Sequence, residues 1–139
     1  MTDGDAAVPM SEWRGRGTLL LADDDEHYRE VMRTFLAKRG FRVIDVPDGV
    51  AAIQAFHAFG RDIVAVLMDT LMPRVDGPGA AKAIRAMVPD VPILSVSARD
   101  DVSTVYPPGV IREHLQMPFK VENLLRALRR AIEAPSPKT

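Results

Sequence analysis

Three aspartates stand where apolar runs end. Asp23 and Asp24 follow Thr18–Ala22, and Asp69 follows Ile63–Met68. Each run is short and apolar, as a strand buried on both faces is. In an open α/β sheet the ligand crevice lies at the carboxyl ends of the strands. If the two strands are neighbours, three carboxylates converge there and raise one another's pKa values. A hard divalent cation such as Mg²⁺ relieves that conflict, because it takes carboxylate oxygens and keeps several waters. Asp25 and Glu26, next in the chain, suit the first turn of a helix instead.

The stretch after the second run is MDTLMPRVDG, Met68 to Gly77. Pro73 and Gly77 require a turn between strand and helix, which leaves Asp69 on the crevice floor. A fourth apolar run, PILSVSA (Pro92–Ala98), ends near Ser97, whose hydroxyl is able to hydrogen-bond an anion held beside Asp69.

These residues need a scaffold. Helical spacing runs over Asp25–Arg39, Asp48–Phe59 with Asp48 as N-cap, Gly77–Met87 and Val121–Ile132. Strands are expected at Thr18–Ala22, Phe41–Val46, Ile63–Met68, Val91–Val96 and, more weakly, Val110–Gln116. With one weak helix between Asp100 and Tyr106, the pattern is β-α five times. It predicts a single doubly wound five-stranded parallel sheet, (βα)5 flavodoxin-like, with a shortened fourth helix. The expected organisation is a flexible tail or linker at 1–17, one domain at 18–134 and a tail at 135–139.

Composition narrows the function classes. The chain has 139 residues, enough for one domain, and its net charge of −1 gives no bulk case for nucleic acid or an anionic membrane. Cysteine is absent, which excludes a disulfide scaffold and a thiolate metal site. No run approaches the ~20 apolar residues of a membrane helix, and the N-terminus has no apolar signal core. A cytoplasmic location is the expectation.

In ADDD after the first strand, DTLMPRVDG after the third, SVSA at the fourth and MPF after the fifth, the chain resembles the receiver domain of two-component response regulators. Within that family it looks most like receivers of hybrid sensor histidine kinases. The resemblance implies a phosphoprotein in a phosphorelay, with Asp69 as the phosphoacceptor that takes phosphoryl from a phosphohistidine. It implies Mg²⁺ held by Asp24, Asp23, Asp69 and the Leu71 backbone carbonyl, with Ser97 as the phosphoryl-binding switch hydroxyl. His114 falls at the switch aromatic. The partners implied are a sensor histidine kinase or histidine phosphotransfer protein and a downstream protein. No separate substrate turnover is expected, only the domain's own aspartyl phosphorylation and dephosphorylation.

Two departures fall on the switch. The family carries a lysine before its Pro-Phe pair, and here that residue is Met117. Arg99, two residues past Ser97, is a candidate compensating cation. The segment between Ala98 and Val110 is short and contains Pro107 and Pro108, which leaves room for one to two helical turns. These departures keep a second reading open, a pseudo-receiver that binds partners independently of phosphorylation. An aspartyl-phosphate phosphatase would need a second carboxylate two residues after the nucleophile, where Leu71 stands.

Overall fold

A computed structural model describes residues 9–98 and 105–134. Its elements run β1 (Thr18–Ala22), α1 (Glu26–Lys38), β2 (Arg42–Val46), α2 (Gly49–Phe59), a short 3₁₀ turn (Gly60–Asp62), β3 (Ile63–Asp69), α3 (Gly77–Met87), β4 (Ile93–Ser97), β5 (Glu113–Gln116) and α4 (Val121–Glu133). The five strands form one parallel sheet in the order β2-β1-β3-β4-β5. The expected doubly wound flavodoxin-like sheet is therefore present. Among the described residues there are four α-helices. The expected short fourth helix falls largely on residues 99–104, outside the described residues, and Val105–Arg112 contains no helix.

Alternation along the strands divides the core between two faces. Leu19, Leu21, Ala65, Leu67, Leu94 and Val96 point to the side covered by Met32 and Leu36 of α1 and by Leu124, Leu125 and Leu128 of α4. Leu20, Ala22, Val66, Met68 and Ile93 point to the other side, under Ala52 and Phe56 of α2 and Ala80 and Ile84 of α3. Every residue of β1 is buried, as a central parallel strand requires. Each fully buried leucine contributes roughly 1.5–3 kcal/mol relative to exposure.

The helix starts follow from their caps. Asp25 accepts the Tyr28 N–H at 3.1 Å, Asp48 the Ala51 N–H at 2.8 Å, and Asp76 the Gly79 N–H at 2.9 Å. Each satisfies an otherwise orphaned amide of the first turn. α4 has no side-chain cap and depends on its amphipathic face. Arg130 also ties α4 to β5 through Glu113 at 2.9 Å.

Two expectations need correction. Residues 9–17 do not all behave as a tail: Trp13 is buried, stacks obliquely on Phe41 with ring centroids 5.9 Å apart, and donates its indole N–H to Glu133 at 3.3 Å. Arg39 donates to the carbonyls of Met10, Ser11 and Trp13, and the Gly15 N–H donates to the Arg39 carbonyl at 2.7 Å. One aromatic anchor has no periodicity, so pattern reading misses it. The fifth strand is also shorter than Val110–Gln116, because the Val110 N–H turns back to the Pro107 carbonyl and Gly109 takes φ +78°.

Candidate functional site

Strand order decides the site. β1 and β3 are neighbours, with Ala22 opposite Met68, so Asp23 and Asp69 leave the sheet side by side. Carboxylate oxygens of Asp23, Asp24 and Asp69 all lie within 4.8 Å of one another. Asp23 is buried, Asp69 half-buried and Asp24 exposed, so the cluster opens to solvent on one side.

The electrostatics are those of a site built for a cation. Burial, and then the charges of Asp23 and Asp24, push the Asp69 carboxyl up to about 7, against hydrogen bonds from the backbone of Leu71 and Thr70. Burial also raises the Asp23 carboxyl, partly offset by the backbone N–H of Asp25, which reaches Asp23 Oδ1 at 2.9 Å. Three close oxygen donors with mutual repulsion fit a hard divalent ion, which takes oxygen ligands and accepts waters in its remaining positions.

The loop after Asp69 is held by close packing. Gly77 donates its N–H to the Thr70 carbonyl at 2.9 Å. A Cβ on Gly77 would lie 2.2 Å from the Asp69 carbonyl oxygen, so space, not a positive φ, requires glycine here. The positive φ of this loop belongs to Arg74, at 70°. Arg74 reaches Asp48 at 3.4 Å.

Ser97 ends β4, is buried, and stands one residue past Val96, the cross-strand partner of Asp69. Met117 follows β5, donates its backbone N–H to the Ser97 carbonyl at 2.8 Å, and is partly exposed. Lys120 stands at the N-cap of α4. His114 pairs with Ser95 across the β4–β5 ladder, and its Nδ1 lies 2.7 Å from Ser95 Oγ. Leu71 is exposed beside Asp69. Arg99 lies outside the described residues.

Three residues near the acids were not singled out from sequence. Arg29 donates to the Asp23 carbonyl at 2.8 Å and to Asp45 at 3.0 Å, and so pins the start of the acidic turn to β2. Tyr28 has its phenol pushed up to about 12 by burial and then by the charges of Asp23 and Asp69. Tyr106, buried, shares a hydroxyl hydrogen bond with Thr70 next to Asp69. The partners of Arg29 and Tyr106 lie on other elements, a relation that helical or strand spacing does not encode.

Known proteins resemble this chain in sequence and in fold. The response regulator receiver domain family matches residues 19–129. Response regulator MprA of Mycobacterium sp. (strain KMS) is 35% identical over 121 residues, covering 86% of this chain and 52% of MprA. MprA of Mycobacterium tuberculosis (strain ATCC 25177 / H37Ra) is 33% identical over 122 residues, with 86% and 52% covered. The chain thus spans about half the length of the curated relatives it matches. Among solved structures, the receiver domain of a sensor histidine kinase from Pseudomonas aeruginosa PAO1, with magnesium coordinated in its active-site cleft, is 30% identical. It superposes with a TM-score of 0.76, covering 86% of this chain and 100% of that one. Vibrio cholerae chemotaxis protein CheY4 shares the fold at a TM-score of 0.76 and 23% identity, covering 84% and 99%. No described helix is long and apolar enough to cross a membrane. With its sheet order, its three carboxylates and its matched residues in agreement, the chain belongs to the response regulator receiver domain family of two-component signalling.

Proposed function

We propose that this domain accepts a phosphoryl group on Asp69 from a phosphohistidine. The donor is a sensor histidine kinase or a histidine phosphotransfer protein. The observation that carries the reading is the packing of carboxylate oxygens of Asp23, Asp24 and Asp69 within 4.8 Å of one another, with Asp69 on the strand adjacent to the one that the other two acids follow. An Asp69 carboxylate oxygen attacks phosphorus as the P–N bond breaks, and the electron pair stays on the departing imidazole. Asp23, Asp24, Asp69 and the Leu71 carbonyl would hold Mg²⁺, which would neutralise charge on the transferred group. Asp69 must be ionised to attack, which burial and then the charges of Asp23 and Asp24 oppose in the cation's absence. In this reading Ser97, one residue past the cross-strand partner of Asp69, binds a phosphoryl oxygen through its hydroxyl, and His114 serves as the switch aromatic. Arg99 is the candidate second cation. The receiver acts on a downstream protein partner.

The test is phosphate-affinity electrophoresis after incubation with acetyl phosphate and Mg²⁺. Wild type gives a retarded band, while Asp69→Ala and metal-free protein do not. A retarded band that persists in Asp69→Ala sinks the assignment.

One observation favours a second reading. Met117, bonded through its backbone N–H to the Ser97 carbonyl, stands in sequence where the resembled family carries a lysine. A thioether donates no hydrogen bond to a phosphoryl oxygen. In this reading the domain is a pseudo-receiver whose partner binding ignores phosphorylation, and wild type gives no retarded band.

A further inference from the structure

Tyr106 is the last ordered anchor before the Pro107-Pro108 step, and nothing in the acid cluster requires it. It is nonetheless among the well-buried side chains, at 5% exposure. It belongs to the buried apolar cluster that includes Met68, Met72 and Val110 on the α2–α3 side of the sheet. Its hydroxyl lies 3.2 Å from the Thr70 hydroxyl, a buried contact between residues 36 apart. Thr70 is itself 3% exposed and follows Asp69 directly.

The notch that receives the phenol is specific. A Cβ on Gly77 would meet the Tyr106 hydroxyl at 2.6 Å, so glycine makes room for both the phenol and the Asp69 carbonyl. Gly77 in turn bonds the Thr70 carbonyl at 2.9 Å. Thr70 is therefore gripped twice, by its carbonyl from α3 and by its hydroxyl from the segment that leads into β5. The peptide between those grips carries the backbone of Thr70 and Leu71, which hydrogen-bonds toward the Asp69 carboxylate. A buried hydroxyl pair leaves each partner unsatisfied when the other is lost, so the contact favours one discrete geometry.

We propose that Tyr106 is a positioning residue that couples the loop bearing Asp69 to the β4–β5 connection through the Thr70 hydroxyl. Occupancy at Asp69 alters the Thr70–Leu71 backbone, and the Tyr106 hydroxyl passes that change to Tyr106–Val110. The coupling uses neither position 117 nor position 114. It rests on the phosphoacceptor reading above.

Backbone amide NMR with Mg²⁺ and beryllofluoride, a phosphoryl mimic, tests it on wild type, Tyr106→Phe, Thr70→Val and Thr70→Ser. Thermal melts of each variant separate folding from coupling. Wild type is expected to show shift changes at Asp69 and at Tyr106, Gly109 and Val110. Tyr106→Phe and Thr70→Val keep the change at Asp69 but lose at least half of it at Gly109 and Val110. Thr70→Ser, which retains a hydroxyl, restores it even though it also loses a buried methyl. If Tyr106→Phe and Thr70→Val transmit the change as fully as wild type while Asp69 responds in all, the coupling is wrong and the phosphoacceptor reading stands. If Thr70→Ser transmits no better than Thr70→Val, a hydroxyl at position 70 does not suffice to carry the change, and the proposal falls. If wild type shows no change at Asp69 itself, both readings fall together.

Discussion

Ala22 and Met68 are cross-strand partners on β1 and β3, and that single register sets the chemistry of the domain. It brings Asp23 level with Asp69 at the carboxyl edge. A shift of one residue would turn every side chain of one strand to the opposite face and separate the two acids.

Divalent metal should stabilise the fold, because it relieves a repulsion present only in the native state. Binding restricted to the native state adds RT ln(1 + [L]/Kd), about 2.7 kcal/mol at one hundred times Kd. Millimolar Mg²⁺ is expected to raise Tm for wild type and to leave Asp24→Ala unchanged. An Asp24→Ala protein that gains as much as wild type would remove this cluster as the metal site.

Metal-free stability should fall as pH rises from about 4 to about 7. The folded Asp69 carboxyl lies near 7 against 3.8 ordinarily, so the native state holds a proton that the unfolded chain has released. Stability therefore declines through that window and levels off above it. Asp69 is only half-buried, so solvent screening cuts the effect to about 1 kcal/mol, or some 4 °C in Tm. Melts in EDTA at pH 5.0 and 7.5 measure it, and Asp69→Asn should flatten the difference. A wild-type Tm that rises across the same window contradicts the raised carboxyl.

Trp13→Ala should lower stability by about 3 kcal/mol, the low end for a buried Trp-to-Ala change, since the segment that carries it can detach. Trp13 is the chain's one tryptophan, so its fluorescence reports the docking directly. In wild type the emission should shift to the red in the same transition that unfolds the sheet, and Phe41→Ala should shift it in the native state. Emission already typical of exposed indole before unfolding would mean that the segment does not pack.

Met117→Lys should enlarge the response to beryllofluoride at Ser97 and His114 without being needed for phosphorylation at Asp69. The added ammonium contributes a charge-assisted contact worth about 1.5–3 kcal/mol, present only when the phosphoryl mimic is bound. A ligand shifts a conformational equilibrium only by such a differential. NMR titration of both proteins decides the matter. Equal responses would make Met117 harmless, and an absence of phosphorylation in both would favour the pseudo-receiver.

Much of this was legible in the residues. Asp48 caps its helix as expected, Asp25 proves to be the N-cap of α1 where a first-turn acid was expected, and the apolar run IVAVLM lies on a central strand. Asp23, Asp24 and Asp69 could be grouped because strand ends in a parallel sheet share one edge. Local pattern failed where a residue's partner lies far along the chain. Trp13 binds Glu133 across the fold, Tyr106 binds Thr70, and Arg29 bridges α1 to Asp45. Such contacts depend on the helix C-termini and loops that tertiary packing brings together, and no period of 2 or 3.6 announces them.

The bond from Trp13 to Glu133 joins residues 120 apart in sequence. It sets the start of β1 and the end of α4 together at the amino edge of the sheet, a full strand length of about 16 Å from the aspartates. Ends so close make the domain a natural insert: spliced into a host loop, or permuted with a short linker joining the two ends, it should keep its register. Whatever is grafted on either side hangs from that rim, at the opposite edge of the sheet from the three aspartates.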